Sequence, residues 1–400
     1  MTSDTPQGRL LMVVHSSVPD DPRVMAEAGA ARDAGFRVDI VALRGPGQAP
    51  DEWVADGIRA VRLPVEHVRG AGFLQVVREY VSFTARASLR AARLARTTRY
   101  QVVQVHNPPD FLVVAALVPK LRGARLLFDV HDLGPDMFNS RFGSRRGARR
   151  VDQLLRLVER IAIALADDVV TVHEPYRREL IERGAKPDDV TVVMNAIGQQ
   201  LLPPPAPAGR DDGFRVVYHG TITPHYGVEL LVRAVARARE QVPAIHLEVF
   251  GSGDARPNAM RLAAALGVGD RVRFVEALSR REVLAAVNGA SVGVVPNLPT
   301  RINRYALSTK LFEYVALGIP AVVADLPTLR LHFADDEVLF FRAGDEVDLG
   351  RALVAVAEHP DAAAARARAA SHRAREYSWE RSARRYLDVL DRGLKTGSAP

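Results

Sequence analysis

The chain alternates between short runs of aliphatic and β-branched residues and longer stretches whose apolar positions recur at helical spacing. Short apolar runs are typical of buried strands, and the stretches between them are typical of amphipathic helices. In the first half the runs are LLMVVHS, VDIVAL, VVQVH, RLLFDVHD, DDVVTVHE and DVTVVMNA. Helices are predicted between them, for example at residues 24–34 and 112–121. This alternation predicts a doubly wound parallel sheet.

A proline-rich segment, LLPPPAPAGRDDG at residues 201–213, interrupts the alternation. Consecutive prolines hold the backbone extended and remove amide donors, so a linker between domains is predicted there. The pattern then restarts with the runs FRVVYHG, IHLEVFGSG, VRFVEAL, SVGVVPN and PAVVAD. Further helices are predicted at residues 228–241, 259–266, 281–288 and 309–317.

The sequence therefore predicts an α/β protein with two Rossmann-like domains, at residues 1–200 and 214–376. Residues 377–400 read as a separate amphipathic helix without a strand of its own, which must pack on structure already formed. In doubly wound sheets ligands bind beyond the carboxyl ends of the strands. Candidate site residues are accordingly sought just after each strand or at the start of the next helix.

Composition narrows the class of protein. The 400 residues are 48% apolar and 25% charged, which is typical of a globular chain with a sizeable core, and they include no cysteine. A disulfide framework, a thiolate zinc site and a cysteine nucleophile are therefore excluded. No apolar run is long enough to cross a bilayer, and the N-terminus does not resemble a signal peptide. A cytoplasmic location is the expectation.

The net charge of +7 does not indicate nucleic-acid binding. Lysine occurs only at four positions, and the arginines are spread along the chain with denser segments at residues 69–99 and 141–160. Neither segment has an aromatic RNA-binding signature or a helix-turn-helix pattern. Two interpretations stay open: solvated arginine faces on helices, or peripheral contact with an anionic inner-membrane surface.

The segment LSTKLFEYVALGIPAVVAD at residues 307–325 resembles glycosyltransferase family 4, whose members are retaining enzymes of the GT-B fold. The resemblance extends over residues 10–390, and the first-domain strings DPRVMAEAGAARDAGFRVDIV and VVQVHNPPDFLVVAALVPK are similar to a bacterial polysaccharide subgroup. It implies two domains that face each other across a cleft and a C-terminal helix that packs back on the first. It also implies sugar transfer from a UDP- or GDP-type donor, without a cofactor, to a glycan, lipid-linked or small-molecule acceptor.

The chemistry of this segment also follows from its residues. Ser308 is a predicted N-cap, because its hydroxyl can accept from free amides of the first helical turn. Lys310 and Glu313 lie three residues apart near the positive end of the helix dipole, where an anionic diphosphate fits. A carboxylate one turn further can accept two ribose hydroxyls. The alternative is a surface ion pair between Lys310 and Glu313.

The resemblance assigns roles residue by residue. It places Glu313 on the nucleotide ribose and His106, in VHNPP, against the donor sugar, and with Lys310 these are the predicted catalytic residues. The predicted donor-binding residues are Gly220, Thr221, Gly251, Gly253, Asn297, Arg304, Tyr305, Lys310, Leu311 and Glu313. The predicted acceptor-side residues are Asp21, Arg23, His131 and Asp132. A capping role for Asp132 and a backbone-bonded loop role for His106 are the alternatives.

The sequence also departs from the family. Tyr305 stands where a second glutamate is common, and Thr221 and Tyr226 replace the usual arginine and lysine that clamp the diphosphate. Lys310, Arg301 and Arg304 are the cations left to substitute. These departures support the principal alternative function, a catalytically silent GT-B-like scaffold that binds nucleotide. A nicotinamide-dependent oxidoreductase is excluded because no G-x-G-x-x-G follows a predicted strand.

No Asp-x-Asp triplet occurs in the chain, so no metal site is predicted at the diphosphate. The helix N-terminus and Lys310 then have to stabilise the charge that develops on the leaving phosphate. The sequence thus predicts a metal-independent, retaining glycosyltransferase.

Overall fold

The computed structural model describes residues 7–67, 72–143, 147–198, 201–204, 213–276, 278–301 and 303–396. The chain forms two compact units, one of Met1–Asn195 together with Ser382–Pro400 and the other of Ala196–Arg381. Most of the predicted linker, residues 205–212, lies outside the described residues. The first boundary precedes the predicted linker, because the segment from Ala196 already packs with the second unit.

The N-terminal unit is built on a sheet of eight strands in the order β3-β4-β2-β1-β5-β6-β7-β8. The strands are β1 (Gly8–Ser17), β2 (Phe36–Leu43), β3 (Asp51–Ala55), β4 (Ile58–Leu63), β5 (Val102–His106), β6 (Arg125–Val130), β7 (Asp168–Thr171) and β8 (Val190–Val192). All neighbours run parallel except β3 and β4, which form an antiparallel hairpin at the edge. Strands β1 and β5 are almost wholly buried, which explains their continuous apolar runs.

Among the described residues, seven α-helices belong wholly or mainly to this unit. They are α1 (Pro22–Asp33), α2 (Phe73–Thr97), α3 (Leu117–Leu121), α4 (Gly134–Phe142), α5 (Ala148–Leu165), α6 (Glu174–Glu182) and α14 (Trp379–Thr396). The α-helix expected at residues 112–121 is instead a 3-10 helix, Asp110–Ala116, followed by the short α3. Pro119 has no amide to donate and its ring crowds the carbonyl four residues earlier, which disfavours a regular α-helix there.

Helix α14 contributes a buried side chain to the N-terminal unit. The Tyr386 hydroxyl is fully buried and donates a 2.6 Å hydrogen bond to Gln104 Oε1 on β5. The helix begins at Trp379 rather than at residue 377, and the chain belongs to the N-terminal unit from Ser382 onward. The tail is thus part of the packing around the central strand of this sheet.

The C-terminal unit is built on a six-stranded, wholly parallel sheet in the order β11-β10-β9-β12-β13-β14. Its strands are β9 (Phe214–His219), β10 (Ile245–Phe250), β11 (Val272–Val275), β12 (Val292–Val295), β13 (Ala321–Ala324) and β14 (Leu339–Phe341). Its helices are α7 (Val228–Ala238), α8 (Arg256–Ala265), α9 (Arg280–Val287), α10 (Thr309–Ala316), α11 (Pro327–Arg330), α12 (Glu346–Glu358) and α13 (Pro360–Ala374).

Both sheets present polar residues where central strands end. His106 is the last residue of β5 and His219 the last of β9, and both are buried. Because parallel strands end at the same edge, the carboxyl edge of each sheet is where a ligand is expected. Within the described part of the chain, no helix has the length and apolar character required to span a membrane.

Candidate functional site

The start of α10 in the C-terminal unit differs from the prediction in one respect. Ser308 occupies the N-cap position with an extended backbone, but its hydroxyl accepts no amide of the first turn. Instead Lys310 Nζ donates to Ser308 Oγ at 3.4 Å. The side-chain capping prediction is therefore wrong, because the buried lysine next to Ser308 uses that oxygen. The first amides of the helix consequently have no side-chain cap.

Lys310 is a buried cation surrounded by aromatic rings. Its side chain is 8% exposed, and Nζ lies 5.0 Å from the ring centroid of Tyr218 and 4.9 Å from that of Tyr226. Burial lowers the pKa of Lys310 to about 8, although Glu313 partly opposes the shift. Among the described residues, no carboxylate lies within ion-pair distance of Nζ. The alternative of a Lys310–Glu313 surface ion pair is therefore excluded.

Glu313 is buried and is held by Arg280, with His219 close on its other side. Arg280 on α9 donates from Nε to Glu313 Oε1 at 2.9 Å, and its Nη2 lies 2.8 Å from the same oxygen. His219 Nε2, at the end of β9, lies 3.2 Å from Oε2, too poorly aligned for a hydrogen bond. Burial raises the pKa of Glu313, against the opposing effects of Arg280 and Lys310. Burial also lowers the pKa of His219 to about 3, so this imidazole is neutral at neutral pH.

The sequence alone did not predict the two residues that lie against the Glu313 carboxylate, Arg280 and His219. A signal existed for His219, because it is a polar residue at the end of an apolar strand directly before Gly220. No local signal existed for Arg280, which reaches Glu313 from a different helix.

Glycines bring the loops at this edge close together. A Cβ on Gly220 would lie 3.3 Å from Lys310 Cε, so the loop after β9 lies directly against the lysine. Gly251 and Gly253 both have positive φ, and a Cβ there would lie 2.0 Å from Gly220 O and 2.1 Å from Ile222 O. The neighbour that requires these two glycines is thus the backbone of the loop after β9, rather than the ligand that the sequence suggested.

The other predicted donor-binding residues have varied environments. Thr221 is exposed, and its carbonyl accepts from the Tyr218 hydroxyl at 2.8 Å. Asn297 is 1% exposed, and its Oδ1 has no hydrogen-bond partner among the described residues. Exposed Arg304 lies 5.7 Å from the ring centroid of Tyr305. The Leu311 side chain is fully buried in the core, so only its backbone is available to a ligand.

His106 in the N-terminal unit belongs to a buried polar network. Its Nδ1 lies 2.8 Å from Asp129 Oδ2, and Arg23 binds the same carboxylate through Nε at 2.8 Å and Nη2 at 2.7 Å. Burial opposes ionisation of Asp129, but Arg23 and the bond from His106 hold its pKa well below the usual value. An ionised carboxylate can only accept, so the proton of His106 is on Nδ1. Its Nε2 is buried and has no hydrogen-bond partner among the described residues.

The network continues from Arg23 to the C-terminal helix. Arg23 Nη2 lies 3.1 Å from Glu27 Oε1, and Gln104 Nε2 donates to Glu27 Oε2 at 2.6 Å. Gln104 in turn accepts from Tyr386, as described above. Sequence analysis identified Arg23 and His106 but missed Asp129, which lies inside an apolar strand run. The connection joins residues 106 positions apart, so no local pattern reveals it.

Three acceptor-side predictions have structural partners. Asp21 is the N-cap of α1 and accepts from the amides of Arg23 and Val24 at 3.1 Å. The amide of Asp132 donates to Asn107 Oδ1 at 3.2 Å, and burial raises the pKa of the Asp132 carboxyl. His131 Nδ1 lies 3.5 Å from Asp129 Oδ2, and that carboxylate raises the pKa of His131 against the effect of burial. Asp129 thus brings His131, Arg23 and His106 together.

Two groups of described side chains have metal-ligand chemistry. One is His106, Asp129 and His131, whose ligand atoms lie within 4.8 Å of one another. It does not fit a metal, because Arg23 already binds both oxygens of Asp129. The other is His15, His67 and Glu79.

The N-terminal unit also has an apolar pocket with a volume of about 350 Å³. Its walls come from α2, α4, α5 and the 3-10 helix Asp110–Ala116, and they include Phe73, Tyr80, Phe111, Met137, Phe138 and Leu154. Asp110 also lines it, and burial raises the pKa of this carboxyl to about 7. The pocket is suited to a ligand with an apolar part.

Family models of glycosyl transferase domains match both halves of the chain. The family model of the glycosyl transferase 4-like domain matches residues 21–196, and a glycosyl transferase-like model matches residues 225–388. A D-inositol 3-phosphate glycosyltransferase of Kribbella flavida is 27% identical over 353 residues, which cover 85% of this chain and 76% of that protein. One of Salinispora tropica is 30% identical over 230 residues, covering 54% of this chain and 46% of that protein. The matches thus span between about half and three quarters of these two relatives.

Solved structures show the same architecture. A sucrose-phosphate synthase of Thermosynechococcus elongatus has a TM-score of 0.76 at 20% identity, covering 98% of this chain and all of that one. HepE of Anabaena, solved in complex with UDP and glucose, has a TM-score of 0.70 at 15% identity, covering 96% and 99%. At these identities the likeness concerns the fold.

Proposed function

We propose that the chain is a glycosyltransferase of the GT-B fold, in line with its two glycosyl transferase family-model matches, and that it transfers a sugar, with retention, from a nucleoside-diphosphate donor. The observation that carries this proposal is Lys310, a buried cation without a carboxylate partner among the described residues, beside Gly220 and the uncapped first turn of α10. A buried, unpaired charge is costly unless a ligand of opposite charge compensates it. A diphosphate supplies that charge and also accepts the free amides of the helix start.

Glu313 is the proposed ribose ligand. Its carboxylate is one helical turn beyond Lys310, and Arg280 fixes its position. Because Arg280 binds Oε1, Oε2 is available to accept the two ribose hydroxyls. The same contact occurs with either UDP- or GDP-type donors, so the proposal includes both. HepE, as its structure is described, binds UDP.

Transfer without a metal at the diphosphate is part of the proposal. When the bond from the anomeric carbon to the phosphate oxygen breaks, charge develops on the leaving diphosphate. The amides of α10 and the Lys310 ammonium are fixed donors for that charge. The acceptor hydroxyl attaches on the face that the diphosphate leaves, and its proton passes to the departing phosphate oxygen. His106 Nε2 is proposed to contact the donor sugar, with the ring oriented by the bond of Nδ1 to Asp129.

The acceptor is proposed to be a lipid-linked glycan precursor. The apolar pocket supports an acceptor with an apolar part, and exposed apolar residues continue along the neighbouring helices. Leu74 and Val81 on α2 are 72% and 54% exposed, and Leu154 and Leu157 on α5 are 58% and 53% exposed. Exposed Arg78, on α2, adds positive charge. This combination favours a cytoplasmic enzyme in peripheral contact with an anionic membrane. The inositol 3-phosphate relatives make a small phosphorylated acceptor the competing candidate.

Donor assays test the transferase proposal. The purified chain is screened against UDP- and GDP-sugars by thermal shift, because a ligand that binds only the folded state raises the melting temperature. The stabilising donor is then incubated alone, and release of free nucleoside diphosphate is measured. Slow release, accelerated by acceptor, supports the enzyme. Stabilisation without any release, with or without lipid-linked acceptors, supports the silent scaffold instead.

Vesicle co-sedimentation tests the membrane contact. The chain is expected to sediment with phosphatidylglycerol vesicles and not with phosphatidylcholine vesicles. Leu154→Gln should weaken sedimentation. Leu331→Gln, at an equally exposed leucine of the C-terminal unit, should not. Equal sedimentation of both variants and the parent would contradict the proposed contact surface.

A further inference from the structure

A second cluster of metal-ligand side chains lies in the N-terminal unit, outside the residues discussed for transfer. His15 Nε2 and His67 Nδ1 both point to Glu79 Oε1, at 2.9 Å and 2.7 Å. The three ligand atoms lie within 4.8 Å of one another. They come from three separate elements: strand β1, the loop after β4, and helix α2. The tertiary fold therefore assembles this cluster.

One nitrogen of the cluster is buried without a hydrogen bond. The His15 side chain is 5% exposed, and the contact of its Nε2 with Glu79 lacks hydrogen-bond alignment. By contrast, His67 Nδ1 has the geometry of a hydrogen bond to the same oxygen. A simple hydrogen-bonded trio would satisfy both imidazoles, because buried polar atoms are almost always paired. A metal ion placed between this nitrogen and the carboxylate oxygen would give both atoms a bond that the protein alone does not provide.

The ring of His15 is held in place by its surroundings. Tyr80 and Phe83 pack edge-on against it, with ring centroids at 4.8 Å and 5.0 Å. This packing fixes the direction in which Nε2 points, toward Glu79. Glu79, also buried, provides the compensating negative charge.

The dimensions require only a small adjustment. Bonds of about 2.0–2.1 Å at tetrahedral angles place ligand atoms roughly 3.4 Å apart. The present contacts are shorter by roughly half an ångström, and the His67 side chain, 52% exposed on a loop, is able to move outward. Two imidazoles and one carboxylate with an open fourth position is a known zinc coordination set. Imidazole ligands favour zinc and its neighbours over magnesium or calcium.

We propose that His15, His67 and Glu79 bind one divalent transition-metal ion of the zinc class, with a fourth coordination position open. The ion fastens the loop after β4 to the end of β1, which is hydrogen-bonded to β5, the strand that ends in His106. It is separate from the leaving-group chemistry, because Lys310 and Glu313 belong to the C-terminal unit.

Metal titration of the tag-free, chelator-treated full chain tests the proposal. Cobalt(II) is added as a spectroscopic probe and zinc by calorimetry, with circular dichroism to verify the fold. One equivalent of each ion is expected, with a visible cobalt absorption typical of four-coordination. His67→Ala should weaken binding at least about 10-fold, since even outer-shell partners contribute that much. His372→Ala, at an exposed histidine of the C-terminal unit, should match the parent.

Glu79→Gln provides a second variant of nearly the same shape. It should also weaken binding at least about 10-fold while keeping the folded spectrum. The proposal is overturned if the parent binds no ion at one equivalent, or if His67→Ala and Glu79→Gln bind zinc as tightly as the parent. These readouts do not involve sugar transfer, so their failure leaves the proposed function untouched.

Discussion

Replacing Glu313 by alanine tests the donor site most directly. In the folded chain this carboxylate is 5% exposed and held by Arg280. A hydrogen bond to a charged group contributes about 1.5–3 kcal/mol. Loss of two ribose hydroxyl contacts should therefore cost about 3 kcal/mol or more, which corresponds to roughly a 100-fold weaker affinity for the nucleoside diphosphate. The fold should survive, because the freed Arg280 side chain is already 34% exposed and can reach water.

Calorimetry with paired ligands distinguishes a ribose contact from a general disturbance. The parent should bind the 2′,3′-dideoxy diphosphate far more weakly than the natural nucleotide, whereas Glu313→Ala should bind both nearly equally. Glu240→Ala, at an exposed glutamate of the same unit, is the matched control and should behave like the parent. If Glu313→Ala binds the natural nucleotide within about twofold of the parent, or still discriminates between the two ligands, the reasoning fails.

Four further outcomes are expected. Because the pKa of Lys310 is about 8, its ammonium loses its proton as the pH rises from 7 to 9, and the affinity for diphosphate measured by calorimetry should fall. The variant Lys310→Met should bind diphosphate at least about 10-fold more weakly at pH 7, and its affinity should not depend on pH in this way. The pKa of Lys310 in the folded chain, about 8, lies below the unfolded value of 10.5, so between these two pH values the unfolded chain binds more protons than the folded chain. The contribution of Lys310 to the free energy of unfolding should therefore increase with pH over this range. Denaturant titrations of the parent and of Lys310→Met at several pH values would reveal or refute this trend. Asp129→Asn leaves the buried Arg23 with one carboxylate fewer, so the free energy of unfolding measured in urea should fall by about 3 kcal/mol. The control Asp56→Asn, at an exposed position, should cost nothing measurable. Equal unfolding midpoints for the two variants would contradict the role of the buried network. Turnover of metal-stripped enzyme should not respond to added magnesium or manganese, and a rate that depends on either ion would contradict charge stabilisation by Lys310 and α10.

The strands were predictable wherever burial on both faces gives a continuous apolar run, as in β1, β5 and β9. The β3–β4 hairpin escaped prediction although Asp56 and Gly57 form a turn signal between the two strands, because the edge strand β3 carries exposed charges and arginines interrupt the apolar run of β4. The short β14 is too brief for periodicity to reveal. Local sequence therefore predicted most strands of both sheets, including the edge strands β8 and β11, but not this hairpin or β14.

The residues of the candidate site also fall into two groups, those that local sequence motifs predicted and those that only the tertiary structure reveals. Lys310, Glu313 and His106 stand in recognisable motifs, and the structure gives each a buried environment with defined contacts. Their partners Arg280 and Asp129 approach from other elements, so only tertiary structure reveals them. The capping hydroxyl of Ser308 was predicted from a rule about isolated helices, and the neighbouring lysine ammonium competes for the same oxygen.

The position of Tyr386 in the C-terminal helix means that the N-terminal unit is completed late during synthesis. Its hydroxyl completes the chain of buried contacts that passes through Gln104, Glu27 and Arg23 towards Asp129. On the ribosome, the first strands emerge long before this helix is translated, and the whole of the second unit is made in between. Until then Gln104 Oε1 lacks the phenol that donates to it. The buried network that includes His106 is thus complete only after the residues around Tyr386 have left the exit tunnel.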